Sequence, residues 1–149
     1  MIRKAEVRDL EQIVELENRV LKSTLGYSFL LQELMENEFS RILVFEEDLK
    51  IIGYISYRVV DKNSELLNFL IDENYQRLGY GSKLFSDVLL NLKEEFVDTL
   101  ILEVRESNIN AINFYKKYGA KEIKRSKNYY IDEDAIIMLL EVNQNDYTI

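Results

Sequence analysis

Three consecutive blocks in the middle of this chain constrain its fold more than anything else in it. Leu66 to Ile71 is an apolar run of strand length. A glycine-bearing turn follows, Gln76-Arg77-Leu78-Gly79-Tyr80-Gly81-Ser82. Tyr80 to Phe96 then places Leu84, Phe85, Val88, Leu89 and Leu92 at helical spacing. A further apolar strand, Leu100 to Val104, leads into another helix, Ile109 to Tyr118, that stops at Gly119. Such alternation predicts a sheet with helices on its faces.

The flanks extend the pattern. Ile2 to Val7 is predicted as a first strand, and Leu10, Ile13, Val14, Val20 and Leu21 mark a helix starting from Asp9. Ser28, a good N-cap residue, predicts a second helix with Phe29, Leu30, Leu34 and Met35 on one side. Ile42 to Glu46 and Ile51 to Asp61 read as strands joined by the polar turn Glu47-Asp48-Leu49-Lys50. Lys121 to Lys127 and Ala135 to Val142 supply a last hairpin. The expected class is α/β (α+β), a mixed sheet flanked by helices. At about 150 residues per domain, the 149 residues make a single domain over 1–149. No repeat, low-complexity tract or linker breaks it.

Composition narrows the chemistry. The chain has no Cys and no His. That removes Ser-His-Asp and Cys-His nucleophiles, thiol redox chemistry and Cys/His zinc sites. Acid and base work falls to carboxylates, Tyr, Lys or main chain, and no metal is expected. Nineteen basic against 27 acidic residues give a net charge of −8. Nucleic acid is a poor partner for such a chain, and cationic or amine-bearing partners suit it better, although the same balance also serves plain solubility. The longest apolar run, Ala135 to Leu140, is far short of a membrane span, and the start has no apolar signal region. A cytoplasmic protein without a membrane partner is expected.

Three features depart from a generic α/β domain. Gly79 and Gly81 stand where a strand turns into a helix, so successive main-chain N–H groups there make a phosphate or pyrophosphate site, or merely a flexible turn. Glu103 interrupts Leu100-Ile101-Leu102-Glu103-Val104-Arg105, whose apolar neighbours suggest a strand covered on both faces. A half-buried carboxylate is a candidate general base; the plainer alternative puts Glu103 in solvent or beside Arg105. In Glu106-Ser107-Asn108 through Gly119, Ser107 or Asn108 caps a helix whose Tyr115 and Tyr118 are either core or a source of a phenolic proton.

Together these pieces resemble the GNAT superfamily of acetyl-CoA-dependent N-acetyltransferases, and within it the RimI-type enzymes that acetylate N-terminal alanine of ribosomal proteins. The resemblance runs from about Asn68 to Leu140. Gln76-x-x-Gly79-x-Gly81 matches the pyrophosphate loop. Leu102-Glu103-Val104-Arg105-x-Ser107-Asn108-x-x-Ala111-Ile112-x-x-Tyr115-x-x-x-Gly119 matches the N-terminal acetyltransferase pattern. Asn128-Tyr129-Tyr130, then Glu133-Asp134-Ala135-Ile136-Ile137-Met138, matches the last hairpin.

The resemblance implies a GNAT fold of about seven strands and about four helices, with acetyl-CoA as cosubstrate. It implies Glu103 as general base and Tyr115 as general acid. Phe69, Leu70 and Ile71 would pair with the pantetheine arm, and Gln76, Arg77, Leu78, Gly79, Tyr80, Gly81 and Ser82 would form the pyrophosphate loop. Asn108 would hydrogen-bond the cofactor, and Tyr129 and Tyr130 would line the acceptor groove. The acceptor would be a protein N-terminus, possibly of a ribosomal protein, and the enzyme a monomer or weak homodimer. Acetylation of a small amine such as a polyamine is a rival within the class, and a non-catalytic CoA-binding protein is one outside it. Three segments depart from the family pattern: the short Ile131-Asp132 linker, Gly119-Ala120 in place of Gly-Phe, and Leu25-Gly26-Tyr27-Ser28 in place of a Pro-Trp segment. The first and third fall near the expected peptide site.

Overall fold

In a computed structural model of the chain, residues 1–21 and 24–142 are described. They form two compact units, one of Met1–Val59 with Leu67–Asn91, the other of Val60–Leu66 with Leu92–Val142. The elements are β1 (Ile2–Lys4), α1 (Leu10–Val20), α2 (Tyr27–Glu36), β2 (Ser40–Glu47), β3 (Lys50–Val60), β4 (Asn63–Ile71), α3 (Tyr80–Glu94), β5 (Thr99–Arg105), α4 (Ile109–Lys117), β6 (Lys121–Ser126) and β7 (Ala135–Glu141). The sheet order is β1-β2-β3-β4-β5-β7-β6, with β4 and β5 parallel and the β1–β2, β2–β3, β5–β7 and β6–β7 pairs antiparallel. The mixed seven-stranded sheet with four helices is the expected one.

In the first unit, Leu10, Ile13 and Leu16 of α1 and Leu30 of α2 pack with Val44, Ile51 and Tyr54 of the sheet. β1 stops at Lys4, earlier than its apolar pattern suggests. The cause is Asp9: its carboxylate accepts the Glu6 N–H at 2.7 Å and a two-pronged bond from the Arg3 guanidinium at 2.8 and 2.9 Å. That closes residues Val7–Asp9 into a 3-10 turn leading into α1.

α2 begins at Tyr27, with Gly26 rather than Ser28 as N-cap. Gly26 sits at φ +85, in the left-handed region that glycine enters without a steric cost. Leu30 and Glu33 are buried on this helix and Leu34 is partly so, whereas Phe29 and Met35 face solvent. The predicted apolar side is therefore narrower than its four residues.

The strand buried almost throughout is β3, not β5. A bulge between Phe45 and Glu46 of β2 lies opposite Gly53, where a methyl group would meet Ile71 Cδ1 at 2.5 Å. Glycine thus lets β3 and the end of β4 approach closely.

In the second unit, β5 pairs with β7 from Thr99↔Glu141 to Arg105↔Ala135. Its burial alternates: Leu100, Leu102 and Val104 point inward. The edge strand β6 is exposed along nearly its whole length. Helix α4 is capped by Asn108, whose side-chain oxygen accepts the Ala111 N–H at 3.2 Å. It ends in a Schellman motif, with Ala120 N–H on the Tyr115 carbonyl and Gly119 N–H on that of Lys116.

Candidate active site

The first unit holds the predicted cofactor segments Phe69–Ile71 and Gln76–Ser82, and the second holds Asn108. β4 pairs with β5 from Asn63↔Thr99 to Glu65↔Ile101, and Phe69–Ile71 form the C-terminal end of β4. The main chain of such a strand end can pair with an extended ligand, as in strand addition to a sheet edge. Phe69 stacks on Phe85 of α3 at 5.9 Å, and Leu70 and Ile71 are buried.

The turn from β4 to α3 is braced from within. Gln76 Nε2 donates to the Ile71 carbonyl at 2.9 Å, so this side chain shapes the turn. Arg77 and Gly79 both have left-handed backbones, φ +66 and +88. Leu78 is exposed. The Lys83 N–H to Gly79 carbonyl bond, 3.1 Å, opens the helical ladder of α3. Helix N-termini lack intrahelical carbonyls for their first N–H groups, which suits them to bind anions. Tyr80 is held edge-on by Phe45 and Tyr75, and a methyl at Gly81 would touch Ile71 and Phe69 at 3.6 and 3.7 Å. Beside this turn, Ile2, Ser82, Lys83, Ser86 and Asp87 line an open hollow of about 460 Å³. Glycine at 79 and 81, a helix start and a nearby lysine fit a pyrophosphate group.

The second unit holds the predicted catalytic and acceptor residues. Glu103 is exposed on β5, between the inward-pointing Leu102 and Val104. The expected cover on both faces is absent because the alternation of β5 turns Glu103 to the open face. Its partner is Tyr130, not Arg105: the Tyr130 hydroxyl donates to Glu103 Oε1 at 3.2 Å. Burial, with the Glu103 charge next, pushes the Tyr130 phenol up to about 12.

Arg105 packs over the Tyr130 ring, its guanidinium 4.0 Å from the ring centre. Glu133 accepts from the Ser107 N–H at 3.0 Å and from Arg105 at 3.3 Å, and bonds from the Ser107 side chain and main chain, then Arg105, hold its carboxyl below the usual range. Tyr129 packs edge-on to Tyr130 and is exposed. Ile131, fully exposed, stands at φ +64.

Tyr115 lies inside α4's buried face, beside Phe114. Burial raises its phenol, so it keeps its proton at neutral pH. Sequence reasoning passed over the Arg105–Glu133 support of Tyr130, which pairs residues from β5 and the last hairpin. Among the described residues no group of three or more His, Cys, Asp or Glu side chains is placed to hold a metal. No helix among them is long and apolar enough to cross a membrane.

Comparison with known proteins identifies the family. The profile described as the Acetyltransferase (GNAT) family matches residues 7–120. An N-alpha-acetyltransferase of Sulfurisphaera tokodaii is 34% identical, over 92% of this chain and 90% of that protein. A ribosomal-protein alanine N-acetyltransferase of Haemophilus influenzae is 33% identical, over 93% and 96%. The crystal structure of the corresponding enzyme of Escherichia coli superimposes with a TM-score of 0.90 at 29% identity, over 100% of this chain and 97% of that one.

Fold, turn and likeness define an acetyl-CoA-dependent acetyltransferase acting on an amine or protein substrate. The chain belongs to the GNAT acetyltransferase family, closely related to its ribosomal-protein-alanine members.

Proposed function

We propose that this enzyme acetylates the N-terminal α-amino group of a protein, with alanine of a ribosomal protein as the favoured acceptor. The observation that carries the reading is the exposed Glu103 carboxylate with the Tyr130 hydroxyl 3.2 Å away. An acceptor meets there a proton acceptor beside aromatic walls with hydroxyl groups. The acetylated termini named for the relatives support the choice of acceptor.

An α-amino group has an ordinary pKa of about 7.7–8.0, so at pH 7 most of it is protonated. Glu103, directly or through a water, takes the proton that must leave before the nitrogen lone pair attacks the thioester carbonyl. The tetrahedral adduct collapses, the C–S bond breaks, and the Tyr115 hydroxyl protonates the departing thiolate. Burial keeps that hydroxyl protonated until it is needed. Positioning of amine and thioester contributes the rest.

The turn Gln76–Ser82 would hold the pyrophosphate, with Gln76 fixing its shape. Phe69, Leu70 and Ile71 would offer main chain to the pantetheine arm. Asn108 would use its side-chain nitrogen on the cofactor, since its oxygen caps α4. Tyr129 and Tyr130 would line the acceptor groove, and by the family resemblance Leu25–Ser28, at the start of α2, would lie near the acceptor peptide.

We assign residues 1–149 to one catalytic domain, supported by a family match that runs through both units, working in the cytoplasm as a monomer or weak homodimer. Incubation with acetyl-CoA and a panel of N-terminal peptides, lysine peptides and polyamines tests the acceptor. Acetylation at the α-amine of alanine-starting peptides is expected, and acetylation confined to polyamines or lysine side chains overturns it.

A further inference from the structure

Glu17 of α1 is fully buried and belongs to no part of the chemistry above. Its carboxylate collects four donors, all within the first unit. Leu25 N–H and Gly26 N–H reach Oε2 and Oε1, each at 3.1 Å. The Tyr54 hydroxyl of β3 and Asn68 Nδ2 of β4 both donate to Oε2, at 2.5 and 3.0 Å. The Asn68 side-chain oxygen in turn accepts the Phe69 N–H at 3.1 Å. One carboxylate therefore ties the entry of α2, at the left-handed Gly26, to the first residue of Phe69–Ile71.

Burying a carboxylate is costly unless it is fully paired, and a core position of α1 would be met more cheaply by an apolar residue. The donors chosen here are informative. Two are main-chain N–H groups of the α2 entry, where Leu25 also packs against the core. A third belongs to the residue that also holds the Phe69 N–H. Exposed Tyr27 and Phe29 follow directly after the fixed entry.

We propose that Glu17 is a positioning residue for substrate binding: it holds the α2 entry and the Phe69–Ile71 segment in the arrangement that acceptor and acetyl-CoA require. This rests on the assignment of those two segments to acceptor and pantetheine above. Substrates can still draw loosened segments into place, at the expense of binding energy. The loss then falls on KM, and kcat at saturation is largely kept.

The test is Glu17→Gln in the full chain. The amide keeps the volume, but either orientation sets an NH₂ group against an N–H donor. Glu33→Gln is the control, since Glu33 is a comparably buried carboxylate of the same unit, bonded to Arg58 and Asn37. Both variants should melt at lower temperature. Glu17→Gln should also raise KM for acceptor and for acetyl-CoA by roughly ten-fold each, the scale of a lost bond to a charged group, with kcat within about three-fold. Amide exchange at Leu25 and Gly26 should quicken in Glu17→Gln alone. Glu33→Gln should leave both KM values unchanged.

KM values in Glu17→Gln equal to those of Glu33→Gln overturn the proposal, whatever the exchange rates. So does a loss confined to kcat. If Glu17→Gln does not fold, Tyr54→Phe and Asn68→Ala each remove one donor and should show the same pattern at smaller size; unchanged KM values in both overturn it equally. The acceptor used is whichever member of the panel the wild type acetylates, so a failure of the N-terminal-peptide reading shows in the panel and a failure of this proposal shows in the KM values.

Discussion

The Tyr130 hydroxyl donates to the Glu103 carboxylate at 3.2 Å, from the β6–β7 loop onto β5, while the Arg105 guanidinium lies over the same ring, 4.0 Å from its centre. Arg105 is itself held by Glu133. A tyrosine pinned in this way presents a hydroxyl at a fixed place beside an exposed carboxylate, and an incoming amine would exchange with it.

With Glu103 in that place, Glu103→Gln should lower kcat by about 10²–10⁴-fold, the usual scale for a lost general base, and leave acetyl-CoA affinity unchanged. Tyr115→Phe should do the same by slowing thiolate departure. Steady-state rates at saturating substrates, with chemistry rate-limiting, and calorimetric titration with acetyl-CoA check both. Wild-type turnover in the pair removes both roles.

Tyr130, pushed up to about 12, keeps its proton throughout the working range, and Tyr115 is raised as well. The rate at subsaturating peptide should therefore rise with pH through the ordinary α-amine range near 8 and stay level to about pH 10. A pH–rate profile with an alkaline fall between about 8.5 and 10 that vanishes in Tyr130→Phe would show that this phenol titrates earlier than its burial requires.

At the cofactor turn the two glycines separate fold from binding. A methyl at Gly81 meets Phe69 and Ile71 at ordinary contact distance, so Gly81→Ala should fold and melt like the wild type. That methyl faces the segment assigned to the pantetheine arm, and acetyl-CoA affinity should fall. Gly79→Ala adds the penalty of a left-handed backbone, about 1–2 kcal/mol, and should melt earlier as well. Unchanged acetyl-CoA affinity in a folded Gly81→Ala counts against the assignment.

Asp9 gives a pH dependence of stability with a definite sign. Bonds from Arg3, chiefly, hold its carboxyl below the usual range, against the opposing effect of burial. A carboxylate depressed in the folded state stabilises fully above its unfolded pKa of about 3.9, and the contribution is lost as pH falls through the lower folded value. Asp9→Asn should cost about 1.5–3 kcal/mol at neutral pH and flatten the acid side of the stability curve. Denaturant melts at pH 7 and about pH 3 check it: an equal deficit at both would mean the charge is not involved.

What could be read from the chain follows the range of the interactions concerned. The strand–turn–helix from Leu66 to Phe96 and the final hairpin are visible because periodicity and glycine act within a few residues. Ser28 misleads as the start of α2 because it is a good cap in isolation, whereas Gly26 is held by Glu17, nine residues back. β5 misleads for a subtler reason: Ile101 among its apolar neighbours hides the alternation that leaves Glu103 exposed. Glu17 itself looks like one more helix acid beside Glu15. Its partners Tyr54 and Asn68 lie 37 and 51 residues away, beyond any local pattern.

Acceptor choice gives the last prediction. Tyr129 is exposed and Tyr130 half-buried on the β6–β7 loop, so flat apolar walls and hydroxyls stand beside Glu103. Alanine as first residue suits a small space next to such walls. The chain carries a net charge of −8, which draws a basic protein tail toward it and repels an acidic one. A peptide beginning with alanine and continuing with lysines and arginines should therefore be acetylated at its α-amine faster than an acidic counterpart, through a lower KM. Raising the salt should shrink the preference, because exposed charges are screened beyond about 8–10 Å near physiological ionic strength. Initial rates for the two peptides at low and high salt, with the acetylated position read by mass spectrometry, decide it: equal rates at low salt mean that charge does not select the acceptor.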